Sequence, residues 1–515
     1  MLAKCYSGTI NGVDARTIEI EVNSVIGTSQ FAIVGLPDTA VKEAKDRIPT
    51  ALKNQQFNLG KEFDVTVNLA PADVKKEGPI YDLPIAICLL KATGKIKNEH
   101  LDEHAFIGEL ALSGEIRRAR GVLPIVLEMK RIGRRAVFVP YENRDEASVV
   151  SGIEVFPVRT LREVFEYLNG ERMLAPYYTD LKALINSDSM QMDDFADVKG
   201  QETARRAIEV AVAGGHNILM IGSPGSGKTM LARRIPSILP PLTVEEALEV
   251  SRIHSVAGVE KGGGKFVTVR PFRSPHHTVS AIALLGGGAH PIPGEVSLAH
   301  RGVLFLDEFA EFPRSALEVL RQPLEDGFVS VSRAAAAHAF PSKFMLVAAM
   351  NPCPCGYHND HTHTCRCRPN IILKYQSRVS GPLLDRIDIQ IEVPPVAVKD
   401  LPVLPYGESS AVIRERVMAA RSIQAERYRD MAGVYTNADV KSRDLPDVCG
   451  FSQVDVKNLV NMIERLNLSA RAYDKVLRVA RTIADLAGEK YVNSMHIFNA
   501  ISYRRMDNEA NSFWI

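Results

Sequence analysis

Asn217 to Thr229 reads NILMIGSPGSGKT, a short apolar run that breaks into a glycine loop. This order restricts the chain more than any other stretch. The loop, Gly222-Ser223-Pro224-Gly225-Ser226-Gly227-Lys228-Thr229, matches G-x-x-x-x-G-K-[ST] in its strand–loop–helix setting. Glycines let successive backbone N–H groups turn inward around phosphate oxygens. The helix behind them adds the partial positive charge of its N-terminus. Lys228 is expected to reach the β and γ phosphates of ATP, and the Thr229 hydroxyl to ligate Mg²⁺.

A second apolar run, Gly302 to Phe309 (GVLFLDEF), ends in two acids. At a strand end beside the loop, Asp307 is expected to hold Mg²⁺ through its waters and Glu308 to polarise the attacking water. Alone, the pair would read equally well as solvated carboxylates. Behind a complete phosphate loop it reads as chemistry. Phe344 to Met350 (FMLVAAM) is a third buried strand and ends at Asn351. The Asn351 amide would face the γ phosphate and orient the water; the bland alternative is a turn residue before Pro352.

With these pieces in order, the sequence resembles the AAA+ ATPases, within them the magnesium-chelatase/MCM-like branch, and most closely the ComM/YifB group. The resemblance spans nearly the whole chain and implies an α/β P-loop core with a helical C-terminal lid. Asp194 to Gln201 (DFADVKGQ) is similar to the segment that packs against adenine. That places Val198, with Met230 behind the loop, in the nucleotide-binding set. Asn351 takes the place of sensor 1. Gly381 to Asp388 (GPLLDRID) resembles the segment carrying the arginine finger, so Arg386 is the expected finger, with Arg378 and Arg321 as rivals. An ordinary ion pair with Asp385 or Asp388 is the bland reading. Ser469 to Tyr473 (SARAY) resembles the start of the sensor 2 helix and points to Arg471. A guanidinium answers the charge that hydrolysis spreads over the γ-phosphoryl oxygens. A finger given by a neighbouring subunit implies a homo-oligomeric ring, a hexamer.

The 515 residues suggest about three domains at ~150 residues each. The 62 basic and 61 acidic residues leave a net charge of +1, so any nucleic-acid surface must be local. No apolar run reaches the ~18 residues of a membrane span. The N-terminus lacks the pattern of a secretory signal. A reducing cytoplasmic setting is expected, with the seven cysteines not forming a disulfide framework.

Residues 1–170 mix strands and helices. Thr17–Val22 (TIEIEV), Phe31–Val34, Phe63–Leu69 (FDVTVNL) and Ala136–Val139 predict strands. Asp38 is expected to cap a helix running to about Ala51, and Leu83–Leu90 and Gly121–Ile132 predict two more. Residues 67–86 and 114–125 resemble the Lon protease domain as it occurs in the same group, which implies an α+β fold. Lon-like proteases carry a serine after a Gly-Pro pair. Here Gly78-Pro79 is followed by Ile80, Tyr81 and Asp82. Lys130 lies near the expected lysine, but the hydroxyl nucleophile is missing. The domain is therefore read as a binding or assembly module. A polar stretch, 171–193, reads as a linker, 194–396 as the AAA+ core, and 397–515 as the helical lid. In that lid Ser410–Tyr428 and Ser469–Ala487 are helical, and Gly488 is placed as a C-cap.

Thr243 and Glu246 stand at capping-box spacing and open a helix to Val256. Arg270–Thr278 (RPFRSPHHT) and Gly286–Gly288 follow, where the resembling branch has an insertion that points to the ring pore. Gly327–Arg333 and Ala339–Lys343 predict a hairpin of the same kind. Arg270, Arg273, Arg333 and Lys343 are candidate contacts to DNA phosphates, with solvated charge as the equal alternative. His276 and His277 read as structural. Cys353-x-Cys355 and Cys365-x-Cys367 fit a four-thiolate structural Zn²⁺ site, with His358, His361 or His363 able to replace one ligand. Cys5, Cys88 and Cys449 are expected to be buried apolar side chains. The whole reads as a ring ATPase moving DNA strands, such as a branch-migration helicase in recombination or DNA uptake. The alternatives are a magnesium-chelatase-like motor subunit and a remodelling ATPase for protein partners.

Overall fold

The computed structural model describes residues 1–57, 62–187, 192–258, 266–288, 291–332, 337–360, 363–396, 402–450 and 470–504. Seven strands form the first sheet: β1 (Leu2–Asn11), β2 (Asp14–Ile26), β3 (Phe31–Val34), β4 (Phe63–Ala70), β5 (His104–Phe106), β6 (Ala136–Pro140) and β7 (Glu154–Val158). Their order is β3-β4-β2-β1-β5-β6-β7. The β1–β2 and β2–β4 pairs are antiparallel and the others parallel. Period-two alternation gives β2 one buried face. Ile18, Ile20 and Val22 are fully buried, while Glu19 and Glu21 between them stay partly exposed.

The longer helices beside this sheet are α1 (Ala44–Asn54), α2 (Asp82–Ala92), α3 (Val122–Arg131) and α4 (Leu161–Leu168). In α2 every residue but Lys91 is buried, because it lies against β1 and β2. Asp38 caps as expected, accepting from the Val41 N–H at 2.8 Å. The helix it caps ends at Lys42, however, and α1 restarts at Ala44. The stretch 171–193 holds a short helix, α5 (Leu181–Ser187). Leu184 and Ile185 pack there on the cluster around Val126 and Leu242, an apolar face that the polar composition conceals.

The second half contains β8 (Ile218–Ile221), β9 (Phe272–Arg273), β10 (Val303–Leu306), β11 (Phe328–Ser332), β12 (Ala337–Pro341), β13 (Met345–Met350) and β14 (Ile389–Glu392). Five of these form a parallel sheet ordered β9-β10-β13-β8-β14. β11 and β12 make the expected antiparallel hairpin. The longer described helices of this half are α6 (Glu202–Gly214), α7 (Lys228–Ile238), α8 (Val244–Ala257), α9 (Pro369–Gln376), α10 (Ser410–Arg427), α11 (Ala470–Leu486) and α12 (Ser494–Ser502). The capping box of α8 is present, with Thr243 and Glu246 bonding reciprocally.

Ile218, Met220, Val303, Phe305, Val347 and Ala349 face one core, shared with α6, α10 and α11. Leu219, Ile221, Leu304, Leu306, Leu346 and Ala348 face the other, with Phe309, Phe312 and Leu320. Both faces are covered, so these strands read as unbroken apolar runs. Val417 of α10 and Val476, Leu477 and Ala480 of α11 belong to the first core. The C-terminal helices thus share a core with the phosphate-loop strand. The two halves of the chain meet at α8, where Ser255 donates to the buried Glu146 carboxylate at 2.5 Å and accepts from Gly121 N–H at 3.0 Å. Among the described residues no helix is long and apolar enough to cross a membrane.

Candidate functional site

The strand order brings the three sequence pieces together. β13 lies between β8 and β10, with Ile221 level with Met350 and Leu306 level with Ala348. The residues that follow each strand therefore emerge side by side at the carboxyl edge of the sheet.

The loop after β8 is tightly enclosed. A Cβ on Gly222 would sit 2.2 Å from the Val393 carbonyl oxygen, so only glycine fits. Gly225 and Gly227 have φ of +78° and +91°, the left-handed region that turns the N–H groups inward. Lys228 opens α7. Its ammonium donates to the carbonyls of Gly222 (2.7 Å) and Ser223 (3.0 Å) and lies 3.3 Å from Asn351 Oδ1. Burial lowers its pKa to about 8, and the Asp307 carboxylate pulls the other way. Thr229 Oγ1 donates to Asp307 Oδ2 at 2.7 Å. This hydroxyl and carboxylate are the hard oxygen ligands that Mg²⁺ takes.

Glu308 follows with φ +54°. Its carboxylate is more than half exposed and pairs with His277 Nδ1 at 2.9 Å. The His277 ring lies against His276, with centroids 4.1 Å apart. The RPFRSPHHT segment thus reaches the acid expected to activate water, which the sequence reading of His277 missed.

Val198 is fully buried and Met230 is exposed at the first turn of α7. Two side chains that the sequence did not announce hold this edge. Gln201 Nε2 donates to Ser226 O at 3.2 Å and to Pro394 O at 2.6 Å. Asn217, ahead of β8, accepts from Leu346 N–H at 2.8 Å and donates to Arg386 O at 2.9 Å.

The guanidinium of Arg386 is taken by Glu325 and the Pro382 carbonyl, neither of the aspartates considered from sequence. Arg378 pairs with Glu311 at 2.6 Å and Arg321 with Glu318 at 2.6 Å. Arg471 is exposed and lies 3.5 Å from Asp385. Ser469 lies outside the described residues.

Three of the four candidate DNA contacts are described. Arg270 is one of them. It is mostly buried, and its donors are committed to Glu246 and to the carbonyls of Pro240, Pro241 and Arg301. Arg273 forms a two-point pair with Glu295, both bonds at 2.7 Å. Lys343 is exposed and sits over the Tyr435 ring, as does Arg301. Arg333 lies outside the described residues.

The cysteine pairs converge. The Sγ atoms of Cys353 and Cys355 are 3.4 Å apart, those of Cys353 and Cys365 3.8 Å, and those of Cys355 and Cys365 3.6 Å. All four ligand atoms, Cys367 included, lie within 4.8 Å of one another. A tetrahedron with Zn–S bonds of about 2.3 Å puts its sulfurs about 3.8 Å apart, so the donor set fits. His361 lies outside the described residues. Cys5, Cys88 and Cys449 are buried, as expected.

The Gly78-Pro79 turn leads into Tyr81 and Asp82, both buried. Asp82 is taken by Arg47, with bonds of 2.8 and 3.0 Å. Lys130 lies against Gly152. Where a serine would stand the chain has Ile80, and two residues on, Asp82 forms a structural ion pair with Arg47.

Three family models match the chain. They are magnesium chelatase subunit ChlI over residues 194–401, subunit ChlI of Mg-chelatase over 20–143, and the ChlI C-terminal region over 407–504. The competence protein ComM of Haemophilus influenzae is 44% identical over 508 residues, 98% of each chain. Protein YifB of Escherichia coli is 43% identical over 499 residues, 96% of each. The Lon protease of Buchnera aphidicola is 26% identical over 165 residues, 30% of this chain and 21% of its own. With its parallel sheet and its phosphate loop, this chain belongs to the ComM/YifB-type proteins, a magnesium-chelatase-like family with an AAA+-like core.

Proposed function

We propose that this protein is an ATP-hydrolysing ring motor that moves DNA strands. The observation that carries the ATPase reading is the meeting of Lys228 with Asn351 and of Thr229 with Asp307, across three neighbouring strands. In this reading Gly222 to Thr229 and Met230 hold the triphosphate, with Val198 beside the adenine. Lys228 places its charge on the β and γ phosphates. Thr229 and Asp307 hold Mg²⁺, which neutralises the charge that develops on the phosphate oxygens. Glu308 accepts the proton of the attacking water, and Asn351 fixes that water's orientation. Arg386 completes the site of a neighbouring subunit in a hexameric ring, and Arg471 acts from the lid formed by 397–515. The four cysteines hold a structural Zn²⁺. Residues 1–170 are a Lon-like module that binds or assembles, in a protein that works in the cytoplasm.

The DNA part rests on the similarity to ComM, whose name assigns it to competence. Exposed Lys343, with Arg333 beyond the hairpin strand, supplies phosphate contacts in this reading. ATP turnover is measured with and without forked or four-way DNA. Stimulation by branched DNA and binding in ATP at low salt are expected. Turnover without either result would reject the strand-moving role. It would favour the chelatase-like motor that the family models name, or a motor acting on protein partners.

A further inference from the structure

The sequence treats the cysteine knuckle and the phosphate loop as separate features, 124 positions apart from Thr229 to Cys353. In the fold they touch. Gly356 sits against the ring of Pro224, the third residue of the loop. A Cβ on Gly356 would come 2.4 Å from Pro224 Cδ and 2.6 Å from Cγ, well inside contact distance. Gly356 also has φ +85°, so its backbone holds the knuckle's turn, closed by its N–H to Cys353 O at 2.9 Å. Cys353 is fully buried and stands two residues after Asn351, whose amide lies 3.3 Å from Lys228 Nζ. On the other side Gln376 Nε2 of α9 anchors Pro352 O at 2.9 Å.

We infer that the cysteine knuckle is a buttress of the nucleotide site, with Gly356 as a positioning residue for the phosphate loop and the thiolate-bound metal as its support. The inference rests on the nucleotide-site reading of Gly222 to Thr229. Phosphate is held there by backbone N–H groups, whose aim depends on where the loop backbone lies. Pro224 is exposed in the loop, and the knuckle backs it from outside. A metal on four thiolates fixes the knuckle's shape. Without the metal, Asn351 and Pro224 lose one common support.

The test measures the dissociation constant for Mg-ATP by calorimetry and zinc per chain by elemental analysis, on the full chain. Gly356→Ala keeps all four thiolates. It is expected to retain one zinc and to bind Mg-ATP at least tenfold more weakly. Gly94→Ala is the strain control, since Gly94 has φ +76° with nothing within 4 Å of the added Cβ. It is expected to bind as wild type. Pro224→Ala opens the space beside Gly356, so the Pro224→Ala/Gly356→Ala double variant should bind better than Gly356→Ala alone. Zinc-stripped protein that keeps its circular dichroism spectrum should show the same weakening, reversed by zinc. Wild-type affinity in Gly356→Ala or in folded, zinc-free protein overturns the inference. So does an additive loss in the double variant. A wild-type chain that binds no nucleotide instead removes the reading beneath it.

Discussion

Nucleotide binding should take up a proton near pH 8, and the proton should go to Lys228. In this fold the ammonium is buried against two loop carbonyls and its pKa is lowered to about 8. Adjacent phosphate charge favours the ammonium and restores a value near ~10.4. At pH 8 about half of the empty sites then hold a neutral lysine, so each binding event draws about half a proton. At pH 7 the uptake falls to about a tenth of a proton. The sign follows. The pKa rises on binding, so affinity is full below about 8 and is lost as pH climbs through that value. Binding at pH 9 should be about tenfold weaker than at pH 7, or ~1.4 kcal/mol. Phosphate's own last ionisation, with a pKa of about 6, lies below this window. Calorimetry of Mg-ATP binding to Glu308→Gln, in two buffers of different ionisation enthalpy, reads the uptake directly. Lys228→Arg replaces the group with one that does not titrate there. A buffer-independent enthalpy at pH 8, with affinity flat from pH 7 to 9, would refute the reasoning.

Glu308→Gln should lower kcat by about 10²- to 10⁴-fold with Mg-ATP affinity kept, the signature of a lost general base. His277→Ala should show the same signature with a smaller loss, and His277→Asn should recover part of it by restoring a donor near Glu308. Asp485→Asn should destabilise the fold by about 3–5 kcal/mol in urea titration. That carboxylate is the partner of the fully buried Arg481 and of Arg427. Among the cysteines, those at 353, 355, 365 and 367 should react with a thiol reagent only after chelation. The three buried thiols should react only on unfolding, since burial raises Cys5 well above the ordinary range and Cys449 to about 12.

The pieces of the candidate site were legible because each is local. A buried parallel strand shows as an apolar run, and the functional residue follows at its end, as in ILMI before Gly222 and MLVAAM before Asn351. Capping is local too, and the Thr243–Glu246 box was found from spacing alone. The contacts that were missed span the chain. Asn217 bonds to Leu346 and Arg386, and Gly356 touches Pro224; no window of sequence contains both partners. His277 was read as structural because its partner, Glu308, comes from another strand. The partners of Arg270 escaped because its charge is visible in sequence while the carbonyls that accept from it are not. The helix at Leu181–Ser187 escaped because three apolar residues in a polar stretch reveal their face only once a neighbouring surface exists.

The position of Arg386 leads to a decisive prediction about assembly. Its guanidinium is held by Glu325, an exposed acid. The Arg386 side chain itself is mostly buried and also donates to the Pro382 carbonyl, so reaching a phosphate requires it to leave both partners. Its backbone is held as well. The Arg386 carbonyl accepts from Asn217 at the foot of β8, and Lys475 of α11 donates to the next carbonyl, Ile387 O, at 3.0 Å. The root of the side chain is thereby fixed to both the strand β8 and the C-terminal helices. Mixing subunits tests whether the arginine acts on a neighbour. Lys228→Ala alone lacks the loop lysine, and Arg386→Ala alone lacks the arginine. Each alone should turn over no ATP above background. In a ring with head-to-tail interfaces, an equal mixture restores both groups at about a quarter of the interfaces. Turnover of the mixture should therefore recover to about a quarter of wild type when interfaces fire independently. If Arg386 serves the loop of its own chain, every subunit in the mixture lacks one group and no activity returns. That result would reject the shared site while leaving the ATP-binding loop intact.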